Sequence, residues 1–372
     1  MQQKVNVFWF RRDLRLWDNK GLFEALRSSL PVLPLFIFDQ DILEELTDCK
    51  DRRVQFIYNT VMAMQEILIE NGSTLTCYYG KPVEIFTALT EKYAIATVFT
   101  NHDYEPYAVR RDEEVKQSLG LKGINFKTFK DQVIFEKSEV VKDGGDTYAV
   151  FTPYSKKWKI LLTDGTLVPF PSEKLLHNFY KQDPLPVPTV ESMGFEPAAG
   201  FLPIEIDPSI IQNYHQTRDI PSLAGTTRMG VHLRFGTVSV RKIVAMAKDI
   251  NEIFLNELIW REFFMQALWH QPRLEHQCFK QHYDRIQWRN NEEEFEKWKS
   301  GMTGYPIVDA GMRELNATGF MHNRVRMVTA SFLVKHLLID WRWGEAYFAS
   351  KLLDYELASN IGNWQWVAGC GC

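Results

Sequence analysis

The sequence has no apolar run close to the roughly 20 residues that a membrane-spanning helix needs. Its first ten residues, MQQKVNVFWF, lack the basic start, the apolar run and the cleavage site of a signal peptide. Both absences argue against a secreted or membrane-embedded protein. We therefore expect a cytoplasmic protein that has no membrane partner, and we expect it to be a monomer.

Cysteine is scarce and irregularly placed. The chain has five, an odd number, and none has the spacing of a metal site: Cys49, Cys77, Cys278, Cys370 and Cys372. Neither a disulfide framework nor a zinc centre is supported, so we expect no bound metal. Free thiols fit a reducing compartment.

The chain also lacks a strong excess of either charge. A net charge of -4 argues against indiscriminate nucleic-acid binding, although it does not describe how charge is distributed over the surface. An apolar share of 45% is that of an ordinary folded protein and does not suggest disorder. At 372 residues the chain is long enough for two domains with separate cores.

The first 130 residues alternate strand and helix patterns. A helix is predicted at residues 51–71, where apolar side chains step by three and four along one face and Gly72 provides the stop. Short apolar segments predict five strands, at residues 5–10, 32–38, 74–79, 97–99 and 125–129. This alternation predicts an α/β domain with a doubly wound parallel sheet over residues 1–130.

Ligands of such sheets bind beyond the carboxyl ends of the strands. This rule places Arg11, Arg12, Asp13 and residues 101–105 at a candidate pocket. No GxGxxG motif follows the first strand, so an ordinary dinucleotide site is not predicted there.

The composition and periodicity of the rest of the chain change twice. Residues 131–222 are interpreted as a connector, because Phe151 to Ser222 hold 10 of the 16 prolines and show little periodicity. Residues 223–372 predict an all-helical second domain, with helices at 239–248, 254–269, 295–300, 308–317 and 323–340.

The predicted helix at 323–340 carries apolar residues around almost its whole circumference and should be buried on most sides. Arg324 and Arg326 lie in its first turns, where a cation opposes the helix dipole, so each needs an anionic partner. Asp354 and Glu356 are the nearest candidates.

Three other features of this second half can be interpreted from the residues alone. GTTRMG at 225–230 combines hydroxyls and an arginine before a helix, which suits a pyrophosphate cradle, although the residues alone favour a helix N-cap. Asn360, shortly before Gly362, reads by itself as a helix end or turn. Eight of the 11 tryptophans lie from Trp260 onward, and core filling is the simplest explanation for most of them.

Several longer stretches resemble the DNA photolyase and cryptochrome family, most closely the class I cyclobutane pyrimidine dimer photolyases. Together they cover nearly the whole chain: FWFRRDLRLWDN at 8–19, GTTRMG at 225–230, NELIWREF at 256–263, TGYPIVDAGMR at 303–313, MHNR at 321–324, LLIDWR at 337–342 and NWQW at 363–366. The resemblance implies an antenna-type α/β domain followed by an all-helical FAD-binding domain.

The resemblance also implies which residues hold FAD. Those matching the family's contacts are Tyr214, Thr226, Thr227, Arg228, Met229, Gly230, Phe254, Arg261, Asn323, Arg326, Asp354, Tyr355, Glu356 and Asn360. Two positions depart from the family: Gly230 replaces its usual serine, and Asp-Tyr-Glu at 354–356 replaces its frequent Asp-Gly-Asp. Asn360 matches the residue facing the flavin N5 atom, where an uncharged carboxamide can favour reduced flavin. Plant cryptochromes typically place Asp there and animal ones Cys, so Asn indicates a photolyase.

Catalytic and DNA-binding roles follow from the same resemblance. Trp288, Trp341 and Trp364 match the family's electron-relay tryptophans, and Glu257 and Asn360 complete the catalytic candidates. The residues matching the dimer pocket and DNA contacts are Arg218, Glu257, Trp260, Asn323, Arg324, Met327 and Trp366. The family's 6-4 photoproduct enzymes need a histidine pair, and here His322 is followed by Asn323, which disfavours that chemistry.

The activity implied by the resemblance is that of a deoxyribodipyrimidine photo-lyase. Excited reduced FAD would pass an electron to a pyrimidine dimer in DNA, flipped out of the helix as photolyases do, and the cyclobutane ring would open. The alternative is a cryptochrome-like blue-light photoreceptor using the same FAD and tryptophans. An ordinary flavoprotein reductase is disfavoured by NWQW and NELIWREF.

Two points stay open at this stage. YEPYAVRRD at 104–112 lacks the Asn-Glu pair associated with methenyltetrahydrofolate, so a second antenna chromophore of folate or deazaflavin type, another chromophore or none is compatible with the sequence. Family members extend some tens of residues beyond the position of Cys372. The resemblance therefore predicts a helical domain that is incomplete at its C-terminal end.

Overall fold

The computed structural model describes residues 3–199 and 206–371. The chain folds into two compact units, each assembled from separate segments. The sheet unit comprises Met1–Ile134, Thr163–Ile204 and Phe235–Ala245, and the helical unit comprises Phe135–Leu162, Glu205–Arg234 and Met246–Cys372. Residues 131–222, interpreted from sequence as a connector, are thus shared between both units.

The sheet unit is built on five parallel strands in the order β3-β2-β1-β4-β5. Their bounds are β1 Lys4–Phe10, β2 Val32–Asp39, β3 Thr76–Gly80, β4 Ala94–Asn101 and β5 Asn125–Phe129. Every residue of β2 is buried, which is why this strand is apolar on both faces. The prediction of a doubly wound parallel sheet is confirmed.

Helices accompany the strands of this unit. They are α1 Lys20–Leu26, α2 Gln40–Leu43, α3 Arg52–Glu70, α4 Pro82–Lys92 and α5 Pro106–Gly120, with short 3-10 turns at Asp164–Leu167, Ser172–Asn178 and Glu191–Met193. The helix predicted at 51–71 is confirmed as α3. The Asp51 side chain caps its start by accepting from the Arg53 amide, and Gly72 follows its end with a φ of 70°.

A buried ion network holds the segment at 235–245 to the rest of the sheet unit. The Asp131 carboxylate accepts from Arg15 Nη2 at 2.5 Å and from Arg241 Nη2 at 2.8 Å. Arg241 Nε also donates to Asp18 Oδ1 at 2.9 Å. Burial by itself would raise the pKa of Asp131, but the two guanidinium groups outweigh it and hold that pKa below its usual value.

The remaining elements are helical. They are α6 Phe151–Leu161, α7 Pro208–Thr217, α8 Gly230–Phe235, α9 Val240–Ile250, α10 Glu252–His270, α11 Glu292–Ser300, α12 Pro306–Thr318, α13 Asn323–Ser331, α14 Trp341–Lys351 and α15 Leu357–Ala368, with 3-10 turns at Pro272–Glu275 and Gln281–Arg285. The prediction of an α-helical second domain is confirmed. Among the described residues, no helix combines the length and the hydropathy needed to cross a membrane.

The single helix predicted at 323–340 is wrong in extent and in burial. Helix α13 ends at Ser331, a π turn follows at Phe332–His336, and Leu338 adopts a φ of 53° before α14 begins. Val328 and Leu338 are 38% and 49% exposed. Apolar periodicity cannot register a π turn, because the turn changes the hydrogen-bonding step of the backbone without requiring a particular residue type.

The network around Asp131 generates a stability prediction. Asp131→Ala leaves two buried guanidinium groups without their shared carboxylate, so we expect the free energy of unfolding to fall by about 3–5 kcal/mol at neutral pH. Because the folded pKa of Asp131 is lowered, its contribution is complete above the unfolded pKa of about 4 and is lost as the pH falls through the folded value. Denaturant unfolding at several pH values measures both effects.

Asp41→Ala is the matched control for this prediction. Asp41 lies in the same unit and pairs with Lys81, but both side chains are exposed, at 41% and 48%. We expect no measurable loss of stability from this change. Equal losses in the two variants would contradict a special role for the buried network.

Candidate functional site

The helical unit contains a cavity of about 400 Å³, within the range of about 300–1,000 Å³ typical of ligand pockets. Its wall brings together most of the site residues expected from sequence: Arg218, Glu257, Trp260, Arg261, Asn323, Arg324, Arg326, Met327, Asp354, Tyr355, Glu356, Asn360, Trp364 and Trp366. These residues come from α10, α13, α15 and the segments preceding α8 and α15.

The arginines near the start of α13 have carboxylate partners, as expected, but only one has the partner expected. Arg326 Nη2 donates to both oxygens of Asp354, at 3.1 and 3.0 Å. Arg324 Nε instead donates to Asp219 at 2.7 Å. Arg324 therefore does not pair with Asp354 or Glu356. Asp219 precedes Arg324 by 105 residues, and no local pattern relates the two positions.

Two further ion pairs fix the α10 side of the cavity. Arg261 Nη2 donates to Glu356 Oε1 at 3.0 Å, and both side chains are largely buried. Arg218 Nη1 donates to Glu257 Oε1 at 2.6 Å. The charged groups of this wall are thus held in place by one another, which orients them before any ligand is present.

Asn360 is held by a residue that the sequence reasoning missed. Its Nδ2 donates to the Glu345 carboxylate at 2.9 Å and to the Glu345 backbone oxygen at 3.1 Å. Burial raises the pKa of Glu345 to about 7. The sequence signal that could have identified Glu345 is a glutamate placed within the aromatic-rich start of α14. With Nδ2 engaged in this way, the Asn360 carbonyl oxygen is the amide atom left to face the cavity.

Aromatic side chains form the flat parts of the wall. Trp260 stacks on Phe151, with ring centroids 3.6 Å apart and planes 5° apart. Phe264 lies on the same tryptophan at 5.4 Å. Trp366 is 53% exposed and lies on the cavity wall, so its ring is accessible to a ligand. Phe151 was missed by the sequence reasoning because it lies in the stretch interpreted as a connector.

The three relay candidates differ in burial. Trp364 and Trp341 are 2% and 1% exposed, whereas Trp288 is half-buried and packs against the same core. The loop after Trp288 is bonded to the start of α14: Arg289 N donates to Leu338 O at 2.9 Å, and Asp340 N donates to Asn290 Oδ1 at 2.8 Å. The order of electron transfer among these tryptophans stays a prediction.

Seven residues that the resemblance predicts to bind FAD are not part of the cavity wall in the described part of the chain. They are Tyr214, Thr226, Thr227, Arg228, Met229, Gly230 and Phe254. Tyr214 and Phe254 pack edge to face at 5.2 Å, and the Arg218 guanidinium lies over Tyr214 at 5.3 Å, so this aromatic pair contacts one residue of the wall. The Arg228 guanidinium lies over Phe320 at 4.4 Å. Roles for these seven residues in binding stay predictions.

The glycine at 230 has a steric reason. A Cβ at this position would stand 2.7 Å from Asp354 Oδ2 and 2.8 Å from its Cβ, closer than real Cβ contacts allow. The serine usual in the family would therefore displace Asp354 from Arg326. This departure from the family pattern preserves the ion pair on the cavity wall.

Two stretches of the chain match models of known protein families. Residues 6–174 match DNA photolyase, and residues 254–372 match the FAD binding domain of DNA photolyase. The deoxyribodipyrimidine photo-lyase of Halobacterium salinarum is 34% identical over 99% of this chain and 82% of its own length. A class III photolyase from Agrobacterium tumefaciens has a TM-score of 0.86 at 30% identity, covering 100% of this chain and 81% of its own. A cryptochrome from Synechocystis has a TM-score of 0.82 at 25% identity, covering 100% and 83%.

The residues present fit FAD. A flavin needs flat apolar surfaces and an amide or carbonyl near its ring edge, and the diphosphate needs cationic donors. Trp364 and Phe348 supply apolar surface, Asn360 supplies the amide, and Arg261 and Arg326 supply cations on the same wall. This set of donors in a cavity of about 400 Å³ is what such a ligand requires.

Glu345 generates a prediction about pH. Its folded pKa of about 7 exceeds the ordinary 4.5, so its stabilising contribution is present below pH 4.5 and is lost as the pH rises through about 7. Glu345→Gln stays neutral at all pH values. At pH 8 we expect the free energy of unfolding of this variant to exceed that of the wild type by about 3 kcal/mol, because each unit of pKa shift corresponds to about 1.36 kcal/mol. This advantage should vanish below about pH 5.

Urea unfolding across this pH range measures the difference. Glu293→Gln on α11, where the side chain is 79% exposed, is the control, and its effect should be small at every pH. A difference between the wild type and Glu345→Gln that stays constant with pH would contradict the elevated pKa of Glu345.

Proposed function

Because the chain belongs to the DNA photolyase family, we propose that it is a deoxyribodipyrimidine photo-lyase that repairs cyclobutane pyrimidine dimers in DNA. The observation that supports this proposal is the cavity whose wall includes Trp260, Trp366, Asn360 and three arginine–carboxylate pairs. When bound, FAD supplies the light-driven electron. The electron returns after the ring bonds of the dimer break, so the repair has no net redox change.

The chain's own residues bind and orient the lesion. Trp260, immobilised against Phe151, offers an aromatic surface on which an extruded pyrimidine dimer can stack. Glu257, held by Arg218, and Asn323 lie on the same wall and offer hydrogen bonds to base edges. This arrangement combines stacking with polar recognition, as the reading of a flipped base requires.

The surroundings of His322 support a cyclobutane lesion over a 6-4 photoproduct. Its Nδ1 accepts from the Arg324 amide at 3.2 Å, so the ring caps α13. His322 is buried, and among the described residues Asn323 stands on the cavity wall in its place. Burial also lowers the pKa of His322 and disfavours the charged ring that acid catalysis would use.

Phosphate binding is proposed for Arg218 and Arg324. The Arg324 side chain is 40% exposed and its partner Asp219 is 56% exposed, so a phosphate can replace that carboxylate with little rearrangement. Arg218, at 19% exposure, is more firmly tied to Glu257. Contacts of this kind carry no sequence information and weaken as salt increases.

Electron supply to the flavin is proposed to run from Trp288 through Trp341 to Trp364. The burial of Trp341 and Trp364 and the half-exposure of Trp288 support this order, because the terminal donor must be refilled from solvent. A photoreceptor would use the same route, and the similar fold of the Synechocystis cryptochrome does not separate the two activities. The lesion-binding wall is the feature that favours repair.

Lesion recognition is tested through Trp260. We expect Trp260→Ala to weaken binding to duplex DNA carrying one cyclobutane thymine dimer about tenfold or more, because aromatic stacking contributes about 1–3 kcal/mol per base. Binding to the undamaged duplex should change far less. Fluorescence anisotropy measures both, and light-dependent restoration of the dimer measures repair beside a duplex with a 6-4 lesion.

Trp269→Ala is the matched control, since it removes an indole from the same helix, α10, at a position outside the cavity wall. We expect it to retain lesion preference. A wild type that neither prefers nor repairs the cyclobutane lesion, yet still photoreduces its flavin, would establish the photoreceptor reading instead.

The relay is tested by Trp288→Phe. Phenylalanine keeps most of the bulk but is harder to oxidise, so photoreduction of oxidised flavin by an added external reductant, which would refill the relay through Trp288, should slow. Repair by protein that is already reduced should continue. Trp343→Phe, another half-buried tryptophan packed against the same core, is the control and should photoreduce normally. Transient absorption of the flavin reports the rates, and an unchanged rate in Trp288→Phe would rule out the proposed route.

A further inference from the structure

Two cysteines far apart in sequence meet in the core of the helical unit. Cys278 and Cys370 are each 1% exposed and belong to one apolar cluster. Backbone bonds hold their segments together: Lys280 N donates to Cys370 O at 3.1 Å, and Gln365 Nε2 donates to Gln277 O at 3.0 Å. The two thiols are close enough to shift each other's pKa, and the backbone bonds keep both sulfurs in one part of the core.

The two thiols are not equivalent. Contact with the Cys370 thiol lowers the pKa of Cys278, and the same contact raises that of Cys370. Arg342 Nη2 lies 4.0 Å from the Cys278 sulfur. The contact between the thiols makes Cys278 the more acidic of the two, while the nearby Asp284 carboxylate, which also pairs with Arg342, acts on the pKa of Cys278 in the opposite direction.

The pair lies beside a tryptophan of the proposed relay. Trp341 belongs to the same cluster, and its buried indole N–H has no acceptor at hydrogen-bonding geometry among the described residues. The Trp341 indole lies near the Cys278 sulfur and is one of the groups that lower the pKa of this thiol. The Arg342 guanidinium lies over the Trp341 ring at 4.7 Å, so sulfur and indole share one cation.

We propose that Cys278 and Cys370 form an internal dithiol donor that refills photo-oxidised Trp341 and closes to a disulfide. The inference rests on the proposed function, because it requires light to draw electrons through Trp341. The pair would supply the electrons that exposed thiols or an added reductant would otherwise have to supply. The product is fully reduced flavin obtained without an external electron source.

The step balances in electrons and protons. Trp341 loses one electron in the light, and the Cys278 thiolate refills it and becomes a thiyl radical. This radical bonds to the Cys370 sulfur as Cys370 releases its proton, and the resulting disulfide radical anion delivers a second electron by the same route. Counting the proton that Cys278 released when it ionised, the two thiols lose two electrons and two protons in all. Both electrons and one proton end on the flavin, and the other proton goes to solvent.

The test uses the full chain loaded with oxidised flavin, illuminated with blue light without oxygen or added reductant. Free thiols are counted by alkylation after denaturation, and non-reducing peptide mapping locates any new disulfide. We expect about two thiols lost per flavin reduced, because a disulfide is a two-electron couple. The mapped link should join Cys278 to Cys370 and should be missing from a sample kept in the dark.

Three variants complete the design. Cys278→Ser should lose the link and slow photoreduction without reductant. Cys77→Ser, which removes a buried thiol of the sheet unit whose burial raises its pKa to about 12, should behave like the wild type. Trp341→Phe should keep both thiols free in the light. If a serine variant fails to fold, the thiol count of the wild type and of Trp341→Phe still decides.

Three results would overturn the inference: flavin reduction with both thiols intact, a link that forms equally in the dark, or an equal link in Trp341→Phe. Dimer repair by chemically pre-reduced wild type is measured in parallel, since it does not draw on the thiols. Repair by the pre-reduced protein, together with flavin photoreduction that leaves both thiols intact in the unreduced sample, overturns only this inference. Thiol loss without repair overturns only the repair proposal.

Discussion

The ion pair between Arg326 and Asp354 is the contact on which the candidate site depends. A guanidinium near the start of a helix opposes the helix dipole and needs a carboxylate when half-buried. Asp354 supplies it from the turn before α15, and Gly230 leaves the space that this aspartate occupies. A parallel pair, Arg261 with Glu356, ties α10 to the same turn. Such pairs define the geometry of the wall more than they raise stability.

Irregular backbone between α13 and α14 positions the tryptophans proposed as the relay. The π turn at Phe332–His336 and the left-handed Leu338 end one helix and let the next begin at Trp341. The same loop bonds to Arg289 and Asn290, which brings Trp288 against the core. Backbone departures of this kind concentrate at functional sites because regular helices present side chains only at fixed angles.

The sequence by itself determined the architecture. Period-two and period-3.6 patterns depend on neighbours within a few residues, so they predicted the five strands, α3 and the helical second half. The resemblance to the family added most of the cavity wall, including Asn360 and Trp260. Domain limits were harder to read, because segments that are distant in the chain, such as residues 235–245, join the sheet unit.

Which polar or sulfur side chains pair with one another depends on the tertiary structure alone. Arg324 pairs with Asp219, Asn360 with Glu345, and Cys278 with Cys370, and no local pattern links the members of these pairs. Each carboxylate, amide or thiol had several chemically suitable partners along the chain. Packing of the apolar helix faces selects among them, because a contact forms only between side chains that those faces bring within reach.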